Sequence, residues 1–504
     1  MAFESVVLTF LACIAVFYFI LNYHRRQSSI KTVNSLPGPK TFPLIGSALT
    51  FLQRSPDEIL DTLTELVEKY STPLRLWMGN KLYIIINKPD QIQTILQNSH
   101  CLDKSVIYTL FEPVFGKGLL TAPASIWTEQ RKMIAPSINT IMLQKFFGIF
   151  IEQSIILTDK LEKVGLNGNE VFFLQHITEC TLTNAFATMT DVKMEHLLNL
   201  MSQFYKTIIS FKETLRTRAR NIFLYPNFIF NLTATGREQR KTLNFGHSVI
   251  DKVIQQQIYV LNELNTKTKS ETSHRSLLHI LMEGFYKNKL TQKMVHDNIF
   301  TMLLTATDTT AITITFVVLM LANYPDIQEK VYKELREIYG TKTPKSAPIK
   351  YEDLQHMDYL DRVIKETLRL FPTVPIIGRR LTEDVIIGEV ILPKNTNVVM
   401  QFMTLHRNEK YWPNPLVFDP DRFLPERIGT SYMYYYMPFS MGPRNCIGMK
   451  YAMISMKVIL ATLIRTFMFK VNESIQIDKI KLNMDITLST VEPIKVKIEK
   501  RNLH

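Results

Sequence analysis

One cysteine of this sequence stands in a loop that suits a metal-binding thiolate. The residues from Phe439 to Gly448 read FSMGPRNCIG, and the Gly-Pro pair before Cys446 predicts a tight loop. A helical pattern starts at this cysteine, and the unpaired amides of a helix N-terminus stabilise negative charge on sulfur. A thiolate is the form of cysteine that ligates iron. The plainer interpretation of a single cysteine is a buried, inert thiol.

Three further patterns accompany the cysteine loop. Glu366 and Arg369 stand three residues apart in ETLR, and Trp127 and Arg131 stand four apart in WTEQR. These spacings place each pair on one helix face, where the first can form an ion pair and the second can donate to an anion. The third pattern, TATDTT, begins at Thr305 in an otherwise apolar stretch. Each pattern is weak evidence of function by itself, because surface ion pairs and threonines bonded to their own helix are common.

Together and in this order, the four motifs resemble the cytochromes P450, a family of haem-thiolate monooxygenases. The resemblance runs over nearly the whole chain. It implies that Cys446 is the axial thiolate ligand of haem b and that Phe439 contacts the cofactor. Glu366 and Arg369 match the ExxR pair of the family, and the resemblance implies Arg422, in FDPDRF, as the third member of that structural network.

The resemblance also implies how the haem propionates are held. Trp127 and Arg131 match a helix that contacts the propionates, and Arg379 in PIIGR stands where the family places another such contact. Arg380 is the alternative to Arg379 in this role. Arg444, two residues before the cysteine, is also placed to pair with a propionate.

The chemistry implied by the resemblance gives roles to an acid and a hydroxyl of the TATDTT pattern. Splitting O2 requires two protons, and a hydroxyl beside an acid that reaches solvent is a relay for them. Thr309 is expected to donate to the oxygen under reduction, and Asp308 to resupply protons.

Finer features resemble the clan that contains fatty-acid ω-hydroxylases and many insect enzymes. These are GKGLLT from Gly116, RRLTED from Arg379 and the cysteine loop itself. Many clan members carry a glutamate, bonded covalently to haem, where Thr305 stands. Non-covalent haem, apart from the thiolate bond, is therefore expected here. Ala306 replaces the usual glycine, and its methyl group would narrow the groove above the iron.

The elements that must position these residues are mostly helical. Thr291 to Asn323 contains no proline or glycine, Pro325 stops it, and 33 helical residues would be roughly 50 Å long. Further helices are predicted over 351–370 and from Cys446 to about 466. Strands are predicted at Leu74–Met78, Tyr83–Ile86, 385–400 and 480–500. The expected fold class is mainly α with small β-sheets, in a single large P450-type domain of residues 41–504.

The long apolar helix admits a second interpretation. Phe300 to Leu321 carries a single charge, Asp308, and is long enough to span a membrane. Its threonines and its acid favour a buried core helix that lines a ligand cavity, because an ionisable group in lipid is costly.

The N-terminus predicts a membrane anchor. Ser5 to Leu21 is uncharged and almost wholly apolar, close to the minimum for spanning a bilayer, and His24, Arg25 and Arg26 follow it. Positive charge after the segment predicts a cytosolic domain on the endoplasmic reticulum membrane, with an anchor at 1–23 and a basic, Pro/Gly-containing linker at 24–40. The alternative is a cleaved signal peptide, which would carry its basic residues first.

The composition indicates which classes of binding partner are expected. Lys and Arg number 59 against 46 Asp and Glu, a net charge of +13, which suits an anionic membrane or an acidic protein. No zinc-finger spacing or long basic run is present, so nucleic acid is not an expected partner. Four dispersed cysteines without a CxxC pair argue against a disulfide framework. Without a nucleotide-binding glycine motif, electrons from NADPH are expected through a separate reductase, with cytochrome b5 as a further partner.

Monooxygenation of a lipophilic substrate is the leading functional hypothesis. The alternatives are a reductase-independent isomerase or dehydratase on the same scaffold, and a non-catalytic haem- or lipophile-binding protein. The presence of both Asp308 and Thr309 favours the first hypothesis. Phe111, Phe115 and Phe204 are candidates for lining the substrate site, although such aromatics are more often core. Fatty acids, hormones, pheromones and xenobiotics all remain open as substrates.

Deleting Met1–Arg26 is expected to weaken membrane association, because the apolar anchor is lost. Some association is expected to persist through an apolar surface patch. Fractionation of cells that express the full-length and shortened chains measures the change. Secretion of a trimmed full-length protein would instead support the signal-peptide interpretation.

Overall fold

The computed structural model describes residues 33–501 except 34, 43–44, 53, 55–57, 191–197, 222–223 and 267–275. Within these residues the fold is mainly helical with small β-sheets, as the sequence predicts. The predicted anchor at 5–21 lies outside the described residues and stays a prediction.

The helices account for most of the described chain. The α-helices are α1 (Leu49–Leu52), α2 (Ile59–Lys69), α3 (Pro89–Gln97), α4 (Glu112–Phe115), α5 (Ala124–Ile134), α6 (Thr140–Gly165), α7 (Phe173–Thr190), α8 (Leu198–Arg220), α9 (Asn227–Leu232), α10 (Ala234–Thr266), α11 (Leu277–Tyr286), α12 (Gln292–Asn323), α13 (Pro325–Tyr339), α14 (Asp358–Leu370), α15 (Phe402–His406), α16 (Pro425–Ile428) and α17 (Met449–Thr466). Short 3₁₀ helices lie at Ser99–Cys101, Val106–Leu110, Ala135–Ile138, Tyr351–His356, Pro420–Phe423, Ser431–Tyr434 and Ile477–Lys479.

The strands form small sheets. They are β1 (Leu74–Met78), β2 (Lys81–Ile86), β3 (Asp103–Lys104), β4 (Val171–Phe172), β5 (Ile376–Arg380), β6 (Val385–Ile387), β7 (Val390–Leu392), β8 (Asn397–Gln401), β9 (Phe467–Lys470), β10 (Leu482–Met484), β11 (Leu488–Thr490) and β12 (Lys495–Lys500). The largest sheet has the order β1-β2-β8-β5-β3, in which β2 and β8 are parallel and the other neighbours are antiparallel. Smaller sheets are β4-β12-β9, β6-β7 and β10-β11.

The chain forms two compact units. The first comprises the described residues of 33–107, 376–405 and 441–444 and contains the largest sheet. The second comprises the described residues of 108–375, 406–440 and 445–501 and contains the long helices. The site residues predicted from the sequence divide between them, because Arg379 and Arg444 belong to the first unit and Cys446 to the second.

Helix α12 forms the centre of the second unit. The Thr291 hydroxyl accepts from the amide of Met294 at 3.2 Å and caps its start, and Pro325 follows its end. Its most apolar 18-residue window is 78% buried. This burial agrees with the predicted core helix rather than with a second membrane span. Helix α6 is also long and apolar enough to cross a membrane by composition, with 39% of its window buried.

Two predicted helix boundaries differ from the structure. The predicted helix over 351–370 is divided, and α14 begins at Asp358, where the Glu334 carboxylate accepts from the amides of Tyr359 and Leu360. The predicted helix from Cys446 begins only at Met449. The amide of Cys446 donates instead to the carbonyl of Phe439 at 3.0 Å, which keeps the cysteine within the loop.

Candidate functional site

Glu366 and Arg369 form a buried, bidentate ion pair on α14. Nε of Arg369 lies 2.7 Å from Oε2 of Glu366, and Nη2 lies 2.9 Å from Oε1. Both side chains are 0% exposed. Burial raises the pKa of Glu366, and the Arg369 guanidinium opposes that rise. Removing either partner would therefore leave an uncompensated buried charge, which is among the most destabilising changes known for a protein core.

Arg422 is the third member of this network, where the resemblance places it. Its Nε lies 3.3 Å from Oε1 of Glu366, and the amide of Asp419 donates to the same oxygen at 3.0 Å. The other guanidinium nitrogens of Arg422 donate to the carbonyls of Pro413 and Asn414. One buried carboxylate thus fixes the irregular segment 413–422 against α14.

His406 extends the network towards the cysteine loop, and this role could not be predicted from the sequence. Nη1 of Arg369 donates to the His406 carbonyl at 2.9 Å, and the guanidinium lies 5.2 Å from the ring centre of Trp412. Burial and the nearby Arg369 lower the pKa of His406 to about 3, so its imidazole is neutral at physiological pH. Nε2 of this neutral ring accepts from the amide of Met437 at 2.9 Å, two residues before Phe439.

The cysteine loop has unusual backbone geometry. Ser440 and Gly442 have φ values of +59° and +74°, in the left-handed region that favours glycine. A Cβ atom on Gly442 would lie 2.1 Å from the carbonyl oxygen of Leu96, so a larger residue would have to displace the backbone. The glycine that the sequence motif contains is therefore required by local sterics.

The thiol of Cys446 lies in a protein interior that still leaves it accessible. Cys446 is exposed by its surface area, yet burial raises the pKa of its thiol as for an interior group. The amide of Gly448 and the guanidinium of Arg131 act in the opposite direction and lower that pKa, because both stabilise a thiolate.

Arg131 also fixes the residue before the cysteine. Its Nη1 donates to the carbonyl of Asn445 at 2.9 Å, and its Nη2 donates to Oδ1 of the same side chain at 2.8 Å. Trp127 lies one turn earlier on α5 and is buried. The predicted propionate-binding helix therefore also braces the backbone on which the candidate ligand sits.

Helix α12 has an accessible patch that fits a bound cofactor. Thr305, Ala306, Asp308 and Thr309 are partly exposed, whereas the residues on both sides of this turn are buried. This turn is therefore accessible between two buried stretches of the helix. The second unit thus supplies an accessible thiol and donors around its sulfur, which are features that a thiolate-ligated haem requires.

The first unit contains a separate cationic cluster. Arg379 and Arg444 are buried, and Nη2 of Arg379 lies 3.4 Å from the Arg444 carbonyl. Lys104 is the β3 partner of Arg379 on β5, and burial, Arg379 and Arg444 hold its pKa well below the usual value. Anionic groups such as carboxylates would relieve this accumulation of positive charge. Lys104 could not be predicted from the sequence, because only the strand register brings it to Arg379.

Arg380 is placed differently from its neighbour Arg379. Its Nη2 lies 3.1 Å from Oδ2 of Asp103, and its side chain is 41% exposed. Successive residues of a strand face opposite sides of the sheet. The structure therefore favours Arg379 over Arg380 as the anion-binding residue.

The predicted proton-relay pair has other partners in the structure. Nζ of Lys212, on α8, lies 2.9 Å from Oδ1 of Asp308, and the Thr487 hydroxyl donates to Oδ2 at 2.8 Å. The Thr309 hydroxyl donates to the carbonyl of Thr305 at 2.8 Å, four residues earlier. This is the backbone bonding that a purely structural threonine also shows.

The predicted substrate-lining aromatics pack mainly as core. Phe115 and Phe204 are 1% and 0% exposed. Phe115 contacts the rings of Phe111 and Phe211 edge to face. These contacts match the alternative interpretation of the sequence, in which such aromatics fill the protein interior.

The chain is similar to known proteins over nearly its whole length. The family model of cytochrome P450 matches residues 36–498. Cytochrome P450 4c21 of Blattella germanica is 34% identical over 96% of this chain and 97% of its own length. Cytochrome P450 4V2 of Mus musculus is 30% identical and cytochrome P450 4c3 of Drosophila melanogaster is 29% identical, each over 97% of this chain and 94% of its own length.

Replacing Arg369 by Lys is expected to lower the free energy of unfolding by about 3–5 kcal/mol, because an ammonium group cannot reproduce the buried bidentate contact. Urea unfolding followed by circular dichroism measures this loss. Arg362→Lys is the matched control on the same helix. Arg362 lies 2.6 Å from the partly exposed carboxylate of Asp421. The expected loss of unfolding free energy in this control is about 0–1 kcal/mol. Equal losses in both variants would contradict the central role of Glu366 and Arg369.

Proposed function

The chain belongs to the cytochrome P450 family, and on this premise we propose that it inserts one atom of O2 into a lipophilic organic substrate. It is a haem-dependent monooxygenase that uses haem b with a cysteine thiolate ligand. The family also implies a redox-partner reductase and lipophilic substrates. The finer assignments are our proposal: NADPH as the electron source, cytochrome b5 as a second donor, and a fatty acid, hormone, pheromone or xenobiotic as substrate.

The observation that carries the proposal is the environment of Cys446. Its thiol is accessible within a protein interior, and Gly448 and Arg131 both favour the thiolate. Haem b, when bound, supplies the redox chemistry that activates O2. The chain supplies the ligand sulfur and the donors that tune it.

Trp127, Arg131, Arg379 and Arg444 are proposed to bind the haem propionates, because each side chain can donate to an anion. Lys104 is also proposed for this role, because it is paired with Arg379 between β3 and β5. Phe439 is proposed to contact the cofactor, because its carbonyl closes the loop on the amide of Cys446.

Proton delivery is proposed to depend on Asp308 and Thr309. The two oxygens of the Asp308 carboxylate accept hydrogen bonds from Lys212 and Thr487, so both are occupied by protein groups. Proton supply through Asp308 would therefore require the Lys212 contact to be exchanged for water. Thr309 lies on the accessible turn of α12, and rotation of its hydroxyl away from Thr305 would let it donate into the open space.

The domain arrangement and location follow the same proposal. Residues 1–23 would anchor the protein in the endoplasmic reticulum membrane, 24–40 would link the anchor to the body, and 41–504 would form the cytosolic catalytic domain. The family match begins at residue 36, close to the end of the proposed linker.

Isotope labelling tests the proposed reaction. The purified protein is first screened for spectral binding of lipophilic compounds, and a binding compound is then incubated with NADPH, reductase and ¹⁸O2. The expected product contains one ¹⁸O atom and forms only when NADPH and reductase are both present. Product formation without either would support the isomerase or dehydratase alternative and contradict monooxygenation.

Thr309→Ala is expected to separate product formation from NADPH consumption. Loss of a positioned proton donor typically costs about 10²–10⁴-fold, so product should fall strongly while electrons leave as hydrogen peroxide. Product, peroxide and NADPH are measured in one reaction. Thr307→Ala is the matched control, because the Thr307 hydroxyl makes the same type of bond to Leu303 but is fully buried. Unchanged coupling in Thr309→Ala would mean that its hydroxyl only packs the helix.

A further inference from the structure

We propose that His247, Asp251 and His296 form a binding site for a divalent transition metal ion of the zinc type. His247 and Asp251 lie on α10, and His296 lies near the start of α12. Nδ1 of His247 and Nε2 of His296 are 3.3 Å apart. The residues assigned above to haem binding and to oxygen chemistry are not among these three.

The separation of the two ring nitrogens matches that of two ligands on one metal ion. Zinc–nitrogen bonds of about 2.0–2.1 Å at a tetrahedral angle place two nitrogens about 3.3 Å apart. The distance also suits a hydrogen bond from one ring to the other, and His296 Nε2 lies 3.4 Å from the His247 carbonyl. Metal binding would therefore require this hydrogen bond to break and the two rings to turn so that both lone pairs point at the ion.

The imidazole of His247 is in the state that a metal requires. Burial and the neighbouring His296 lower the pKa of His247 to about 4, so this ring is neutral at physiological pH. A neutral imidazole offers a lone pair without first losing a proton. The ring of His296 is held in place by Phe300, whose ring stacks against it at an angle of 25°.

Asp251 supplies the third ligand and the route from solvent. It follows His247 by four residues, so both side chains lie on one face of α10. Its Oδ1 is 4.0 Å from His296 Nε2, and its side chain is 54% exposed. In the described part of the chain no three metal-ligating side chains are already clustered, so Asp251 must rotate inward to complete the site. A water molecule would complete the tetrahedron.

The acid next to this site is already engaged elsewhere. Asp297 accepts from Lys293 and from the amide of Lys117, and its side chain is buried. It is therefore not assigned as a ligand. A metal ion held by the three proposed residues would link α10 to α12 in addition to the ring contacts of His247 with His296 and Phe300.

Calorimetric titration of the haem-loaded, full-length protein with zinc chloride tests the site. One zinc ion is expected to bind, and the temperature of unfolding is expected to rise with zinc concentration. His247→Ala and His296→Ala are each expected to weaken binding by at least about 10–100-fold, and Asp251→Asn by a smaller factor. His176→Ala is the matched control, because this half-buried histidine lies on α7, outside the proposed site.

X-ray absorption at the zinc edge provides a second readout that does not depend on stability. Two imidazole ligands and oxygen ligands are expected around the bound ion in the parent protein and in His176→Ala. All variants are compared at equal haem content, which excludes misfolded protein as the cause of weak binding. The proposal is overturned if the parent binds no zinc, if either site histidine variant binds as tightly as His176→Ala, or if Asp251→Asn is unchanged.

Discussion

A negatively charged sulfur inside a protein is the constraint on which this structure depends. Burial disfavours a thiolate, and at Cys446 it raises the pKa of the thiol. The Gly448 amide and the Arg131 guanidinium act against that rise, and both depend on the backbone around the cysteine being fixed. Arg131 contributes twice, because it also binds the backbone and side chain of Asn445. A loop that could relax would lose these donors and, with them, the preference for a charged ligand.

The buried ion pair of Glu366 and Arg369 supplies that rigidity at a distance. Through Arg422 and Asp419 it holds the segment 413–422, and through the His406 carbonyl it reaches the ring that accepts from Met437. A buried pair is not by itself evidence of high stability, since desolvation offsets most of its attraction. Its contribution here is specificity, because the Glu366 carboxylate gives the Arg422 side chain and the Asp419 amide a defined buried partner. The segment then leads through α16 and the 3₁₀ helix Ser431–Tyr434 to the cysteine loop.

Much of this site could be predicted from the sequence, because its motifs are local. The cysteine loop, the pair on α14 and the long helix α12 each depend on residues within a few turns of one another. Lys104, His406 and Lys212 could not be predicted, since strand register or tertiary packing brings each to its partner. The start of α17 was also predicted wrongly, because the amide of Cys446 bonds to Phe439 instead of joining the helix. Spacing identifies which residues share a face, but it does not identify what lies opposite that face.

The most direct test of the account is the absorption spectrum of the reduced, carbon-monoxide-bound protein, compared between the parent chain and Cys446→Ser. A cysteine thiolate on the iron is expected to give the parent a band at about 450 nm, and the variant should lose it because a serine hydroxyl cannot replace the thiolate. Haem content measured in the same samples separates loss of the ligand from loss of the cofactor. A variant that retains the band near 450 nm would contradict the assignment of Cys446.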